Sequence, residues 1–555
     1  MVFIKISKAK GIKYASIVES FVIEGKRRHK TLKYLGRYDK LIEKLARSEV
    51  IVSLSDISLE RAHDYGTVMV LSKICGMLNL KHIINKHAKK QKGIDTGTLI
   101  EILAINRAVE PKSKLQLSNW YEKTVLPFVY GIPSKKLYPQ VLCEVLDKPN
   151  ANAIFNIHKD LNNVMKEKFN LDVSSVIYDI TSTYFEGEKC ILAEFGYSRD
   201  HLSNKKQIVI GIIISLDKGI PVYHFVKEGN TADVSTQIET NTKLEALGIK
   251  RACVVHDRGM VSKANFRLSD KIKYSYITAL DSGNKQSDYW IEELRKQEFF
   301  VAEEHTKKVK EENGTLNKVR YETRITEKTV REHKRLKKYV LVYSEELAER
   351  KKKSRNDRIE RAKQNIKLIK NKVDKGRLKK KIVTFSQIKT AIKGLTKYFD
   401  INVEEQGKKI KKIKWNFKSE MQDKDEEIDG YFVLICSDSE KSKLEIYSAF
   451  KYKCEIEAVI RELKESVELH PIRHWKDMRP EAQVFVCVLG YLLRKILRII
   501  MNENKIYDSV SCIMDYLSEI KTIEMKIEDK VVRKNTNVPE EVKDLLKIMD
   551  INPEI

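Results

Sequence analysis

Between residues 173 and 280 the chain passes through three β-rich segments in a row and then alternates helix with strand, an order that leaves few architectures open. VSSVIYDI reads as a strand. QIVIGIIISL and IPVYHFV are two more, joined by the turn signal DKG. TADVSTQIETNTKLEALG has helical periodicity and stops at Gly248. RACVVHD is a fourth strand, and its apolar run implies burial on both faces. SKANFRLSDKI is a helix and YSYITAL a fifth strand. Three consecutive strands followed by helix–strand alternation predict a mixed α/β sheet.

The flanking regions differ in period. VFIKI, YASIVESFVI and RHKTLKYL, separated by AKG and EGKR, predict a small β-meander within residues 1–50. Residues 51–165 are helical in pattern, as in TVMVLSKICGMLNL and TGTLIEILAINRAV. Such a domain reads DNA or serves as scaffolding, and the pattern alone leaves both open. The sheet-forming region spans 166–280. Residues 281–428 are polar, charged and irregular, apart from a long basic helix at SEELAERKKKSRNDRIERAKQNIKLIKNKV, a pattern that usually marks a solvated surface. DGYFVLICS returns to strand character, a long amphipathic helix covers about 443–468, and this second part of the core runs over 429–500. Residues 501–555 read as a helical tail.

Composition narrows the function. The 555 residues carry a formal charge of +27, spread along the chain. A chain from a generally lysine-rich proteome has some of this excess without a partner. So large a charge opposes compaction unless something offsets it, which favours a polyanion, most simply nucleic acid. The eight cysteines include no CxxC pair and sit mostly among apolar residues, as expected of buried thiols in a reducing cytosol and not of a zinc site. The N-terminus has no apolar signal core, and VFVCVLGYLLRKILRIIM is interrupted by Arg494, Lys495 and Arg498. It reads as a core helix with a basic edge, not a membrane span.

Three carboxylates stand out. Asp179 lies in the strand VIYDITSTYFEG, where Ile177, Asp179, Thr181 and Thr183 share one face. Asp257, in VVHDRGM, follows a buried strand, where α/β sheets place crevice residues. A turn aspartate capping the next helix is the ordinary alternative, but Ser262 is better placed as that cap. Glu457 lies on a helix whose stripe Phe450, Lys453, Glu457, Arg461 and Lys464 borders the apolar stripe of Ile456, Val459, Ile460, Leu463 and Val467. Taken alone, Glu457 with Arg461 is an ordinary i,i+4 pair. Together, two aspartates and a glutamate in one crevice repel unless divalent cations bind between them. Oxygen ligands suit Mg²⁺ or Mn²⁺, and two such ions about 3.5–4 Å apart serve phosphoryl transfer.

These motifs resemble the DDE transposases of prokaryotic insertion sequences. The branch is that of the insertion-sequence-four superfamily with a Tyr–Arg–Glu–Lys signature, in the subgroup with a long N-terminal region. The signature spacing falls on Phe450, Lys453, Glu457 and Lys464, with Phe and Lys as conservative departures at the first two positions. DITSTYFEG is similar to the first-aspartate motif and VVHDRGM to the second. FGYSRDHLSNKKQIVIGIIIS, GIPVYHFVKEGNTAD, TLKYLG and LHPIRHW are also similar to that subgroup. The likeness covers most of residues 1–500 and is weakest over 285–425.

The resemblance implies a ribonuclease H-like mixed sheet core with a large insertion domain at 281–428, preceded by the small β-meander and the helical domain. It implies a DNA transposase that cuts at the ends of its element and joins the freed 3′-hydroxyl to target DNA. Asp179, Asp257 and Glu457 would hold two Mg²⁺ or Mn²⁺ ions. Lys453, Arg461, Lys464, Arg258 and Phe450 would contact DNA, with Thr181 and Thr183 supporting Asp179. Trp415 would stack on a displaced base or, more simply, belong to a core. Partners would be terminal inverted repeats, target DNA and a second copy of the chain, in a prokaryotic cytoplasm at the nucleoid, with no membrane. A catalytically silent DNA-binding derivative and a nuclease with the same core are the alternatives.

Overall fold

The expected meander forms as β1 (Val2–Ala9), β2 (Ile12–Ile23) and β3 (Lys26–Arg37), each antiparallel to the next. Ala9 pairs with Ile12, so the first turn has only Lys10 and Gly11 at its tip. Both have positive φ, at 49° and 82°. That is the turn geometry whose twist suits two adjacent antiparallel strands, and a glycine takes it at no steric cost. A helix at Tyr38–Ala46 follows and buries Leu41.

The computed structural model describes the chain apart from residues 24–25, 47–56, 91, 188, 200–201, 203, 232, 250–252, 256–273, 282, 311–315, 333–334, 407–408, 475, 528–529 and 554–555. Two units form. The first comprises Met1–Ile74, Lys112–Pro139 and Ile500–Ile555, and the second Cys75–Pro111 and Gln140–Ile499. The helices expected over 51–165 are therefore shared between the units, and β4 (Ile57–Asp64) precedes them.

In the first unit β4 pairs with Lys521–Ile527, which pairs with Lys530–Asn535. The helical reading of residues 501–555 is thus corrected, because two strands lie between the helices Val510–Ser518 and Glu540–Ile548. Their sequences, KTIEMKI and KVVRKN, are short and mostly polar, and a partner more than 400 residues away stabilises the pairing.

The second unit is built on a nine-stranded sheet. Its strands are β5 (Ser175–Tyr184), β6 (Gln207–Ser215), β7 (Pro221–Glu228), β8 (Cys253–Val255), β9 (Ser275–Ala279), β10 (Phe300–Lys310), β11 (Leu316–Glu332), β12 (Arg335–Ser344) and a strand at Tyr431–Cys436. The order is β10-β11-β12-(431–436)-β9-β8-β5-β6-β7. β6 runs antiparallel to its neighbours β5 and β7, β8 and β9 run parallel to β5, and the remaining pairs are antiparallel. All five expected strands are present. The helix expected at SKANFRLSDKI lies outside the described residues.

Helices cover both faces. On one, Ile177, Ile208, Ile210, Ile212 and Ile214 pack with Ile456, Val459, Leu463, Val484 and Val488. On the other, Val176, Tyr178, Ile180, Val209 and Ile213 pack with Leu244, Leu247 and Phe155. This explains why QIVIGIIIS has no polar alternation: every residue of β6 is buried. The apolar helix Met478–Glu503 is a core helix as expected, although Arg494 on its basic edge is itself buried.

Residues 281–428 depart from an irregular insertion. β10, β11 and β12 extend the main sheet, joining it through Tyr431–Cys436. Their alternation of charged and apolar residues suits a partly solvated sheet, and only YVLV in β12 is continuously apolar. The rest is a module with its own core, made of the basic helix Glu345–Asp374, a helix at Lys381–Ala391 and a hairpin of β13 (Phe399–Gln406) and β14 (Lys409–Phe417). Trp415 packs in that core, 6.1 Å from Phe399 between ring centres.

All eight cysteines are free. His158, on the helix Ala151–Phe169, lies 2.8 Å from His224 of β7, nitrogen to nitrogen, and both rings are buried. Burial lowers the His158 pKa to about 3 and holds His224 well below the usual imidazole value. Both rings are therefore neutral when folded, whereas unfolding exposes them to protonation below about pH 6.5. Their contribution to stability is complete above that pH and is lost as pH falls towards 3. Urea midpoints measured from pH 7 down to 4 should fall steeply for the native chain and less steeply for the His158→Leu/His224→Leu double variant.

Gly211 of β6 gives a second test. It pairs across the sheet with Phe225, and a Cβ there would stand 2.3 Å from that ring. Gly211→Ala should cost about 1–3 kcal/mol by overpacking, and Phe225→Leu in the same chain should restore much of it. Equal unfolding midpoints for Gly211→Ala and the native chain would contradict the packing described.

Candidate active site

β5 has β6 on one side and the short β8 on the other. Strand alternation puts Asp179, Thr181 and Thr183 on the face of Ile177, which packs against the helices after the Tyr431–Cys436 strand. Thr181 and Thr183 are buried, and the Thr183 hydroxyl has no hydrogen-bond partner. Asp179 is half-buried, and its Oδ1 accepts the Ile180 backbone N–H at 2.8 Å. The row thus joins one carboxylate to two hydroxyls on a covered face.

β8 ends at Val255, in register with Ile177. Asp257 and Arg258 follow it in sequence and lie outside the described residues.

The expected helix at 443–468 is two helices. Ser442 begins the first with a reciprocal capping box to Glu445, and the helix runs Lys443–Lys451. The second, Lys453–Glu465, starts after Tyr452, whose ψ of −6° breaks the regular turn. Ile456, Val459 and Leu463 hold this second helix in the core that contains Ile177, and the helix runs against β5. The elements carrying Asp179 and Glu457 therefore meet on one face of the sheet.

The break divides the expected stripe. Phe450 lies on the first helix, half-buried 6.0 Å from Phe432 between ring centres. Lys453, Glu457, Arg461 and Lys464 lie on the second. The Glu457 side chain is 60% exposed, so it stands further into water than a helix–sheet seam would place it. The Lys453 ammonium is 4.0 Å from its carboxylate and only 17% exposed. Arg461 is exposed and Lys464 half-buried. Among the described residues, no group of three or more His, Cys, Asp or Glu could hold a metal ion.

Residues 4–61, which include most of the meander, match the family model described as the N-terminal domain of IS1634 family transposases. No curated protein matches the chain. Among solved structures, a cryo-EM structure of the piggyBac transposase synaptic complex with hairpin DNA is similar over 81% of this chain and 77% of that one, at 9% identity and a TM-score of 0.36. Among the described residues no single helix is long and apolar enough to cross a membrane.

Sequence reasoning missed the group that fixes the glutamate helix from behind. The Arg494 Nε donates to Glu462 at 2.8 Å, and its Nη1 donates to the Ala108 carbonyl at 3.0 Å. One buried guanidinium thus ties Lys453–Glu465, Met478–Glu503 and Thr96–Val109 together. The signal in the sequence is the trio Arg494, Lys495 and Arg498 interrupting an apolar helix, which does not say which of them is buried. Arg494→Ala leaves Glu462 and a buried carbonyl without this donor and should cost about 2–3 kcal/mol, read from the urea midpoint. Arg494→Lys should recover only part, because an ammonium lacks the planar fork.

Proposed function

We propose that the chain is a DNA transposase of the DDE type with a ribonuclease H-like core. The observation that carries this reading is the placement of Asp179 on the face of the central strand against which the Glu457 helix packs. The strand order supports it, with three antiparallel strands at β7-β6-β5 followed by parallel β8 and β9. The match of residues 4–61 to a transposase N-terminal domain and the net charge of +27 also support it.

The donor set is oxygen only: the Asp179 carboxylate beside the hydroxyls of Thr181 and Thr183, one of them buried and unpartnered. That chemistry suits a hard divalent cation. Asp179, Asp257 and Glu457 would hold two Mg²⁺ or Mn²⁺ ions. Bound there, the ions would offset charge on the scissile phosphate and ease deprotonation of the attacking hydroxyl. Burial fixes the Asp179 side chain, while the exposure of Glu457 leaves room for a nucleic-acid strand beside it. Lys453, Lys464, Arg461 and Arg258 would bind phosphates near the cut, and Phe450 would support them by anchoring the preceding helix. The reaction is hydrolysis at the element's end, followed by transfer of the freed 3′-hydroxyl to a target phosphodiester. Paired ends call for two copies of the chain.

Duplex DNA carrying the gene's own flanks, incubated with Mg²⁺, should be nicked at a discrete position. Asp179→Asn should slow this about a thousandfold, roughly 4 kcal/mol of barrier, without weakening DNA binding in EDTA. Cutting at random positions would favour a general nuclease. Binding without any cutting would favour a silent DNA-binding derivative.

A further inference from the structure

The module between β12 and the last sheet strand has an unusual charge distribution. Residues 345–417 carry 24 Lys or Arg against nine Asp or Glu, more than half of the chain's net excess. Within it, residues 375–399 contain no acidic residue and eight basic ones. The helix Lys381–Ala391 stands in this stretch. Its Thr384 and Ile388 are buried, and Ile388 joins the module core with Ile392. The other side of the helix carries Ile382, Phe385 and Lys389 at helical spacing. Ile382 is 84% exposed, Phe385 42% and the neighbouring Val383 40%. Lys375, Arg377, Lys379, Lys380 and Lys389 are exposed around them.

A helix that has already buried its apolar stripe has no folding reason to leave an isoleucine and a phenylalanine in water. Three apolar side chains within four residues are too few to hold a bilayer, which needs a continuous apolar face. A dense cluster of cations with a small apolar tip matches a duplex. Its phosphates attract the cations, and its base steps accept an apolar wedge at the cost of partial unstacking.

We propose that the helix Lys381–Ala391 is a DNA-distorting contact. Lys375, Arg377, Lys379, Lys380 and Lys389 hold phosphates, while Ile382 and Phe385 enter a groove and part a base step. The inference rests on the transposase reading only for the choice of duplex DNA as partner.

The test uses the full chain in EDTA, with duplex DNA of the gene's flanks carrying 2-aminopurine at successive positions. Native protein should raise the fluorescence at one step. The Ile382→Ser/Phe385→Ser variant should bind about tenfold more weakly, with an unchanged salt slope and no fluorescence rise. The Lys379→Gln/Lys380→Gln/Lys389→Gln variant should lower the slope of log affinity against log salt by about 2.7, near 0.9 for each phosphate released. All these side chains are exposed, and unchanged thermal unfolding would show that the variants fold. A variant pair that binds and distorts DNA as the native chain does would overturn the proposal, as would tighter binding to phosphatidylserine vesicles than to duplex. A native chain that gives the fluorescence rise but cuts nothing with Mg²⁺ would support the wedge and remove the catalytic reading.

Discussion

β5 is covered on both faces, and the proposed site depends on that burial. Val176, Tyr178 and Ile180 close one side, and Ile177 closes the other beneath the glutamate helix. A charge in such a strand costs several kcal/mol if it stays unpaired. Asp179 is held on a strand that packing fixes from both faces. The neighbouring threonines are equally poor choices for filling an apolar core.

What is legible in the sequence follows from how local each signal is. β5, β6 and β7 are readable because burial on both faces erases polar alternation, as in QIVIGIIIS. The helix carrying Glu457 is readable from Ile456, Val459 and Leu463, but the break at Tyr452 is not, since nothing in KYKCE forbids a continuous helix. The pairing of β4 with Lys521–Ile527 is hidden because neither strand is strongly apolar and their partnership is non-local. β10 and β11 are hidden by their charged faces. Of the proposed site, Asp179 and Glu457 stand out by residue type and spacing. Arg494 is not, because its role is visible only once three helices meet around it.

Charge and carboxylates are separated along the second unit. The oxygen donors lie on the sheet, whereas the densest positive charge lies on a module with a hydrophobic core of its own. Under the proposed function, such a division would let a polyanion be gripped away from the reacting atoms, so that affinity and chemistry could change independently. It also spares the core sheet the self-repulsion of so many lysines. Arg355, bridged to Asp429 at 2.5 Å and mostly buried, is one of the few cations of the module spent on internal pairing close to the sheet.

The chain leaves β12 at Ser344 and comes back to the sheet beside it, where the Ser344 N–H donates to the Gly430 carbonyl at 3.1 Å and Tyr343 pairs with Tyr431. Everything between is an excursion whose two ends are hydrogen-bonded neighbours. The entropy of closing such a loop rises only by about 0.6 kcal/mol for each doubling of its length. The excursion can therefore grow, shrink or be exchanged over evolutionary time with little effect on the strands that frame it. Closing it also brings the helix Lys453–Glu465 to β5, so a nascent chain cannot set Glu457 beside the strand of Asp179 until the whole excursion has been made.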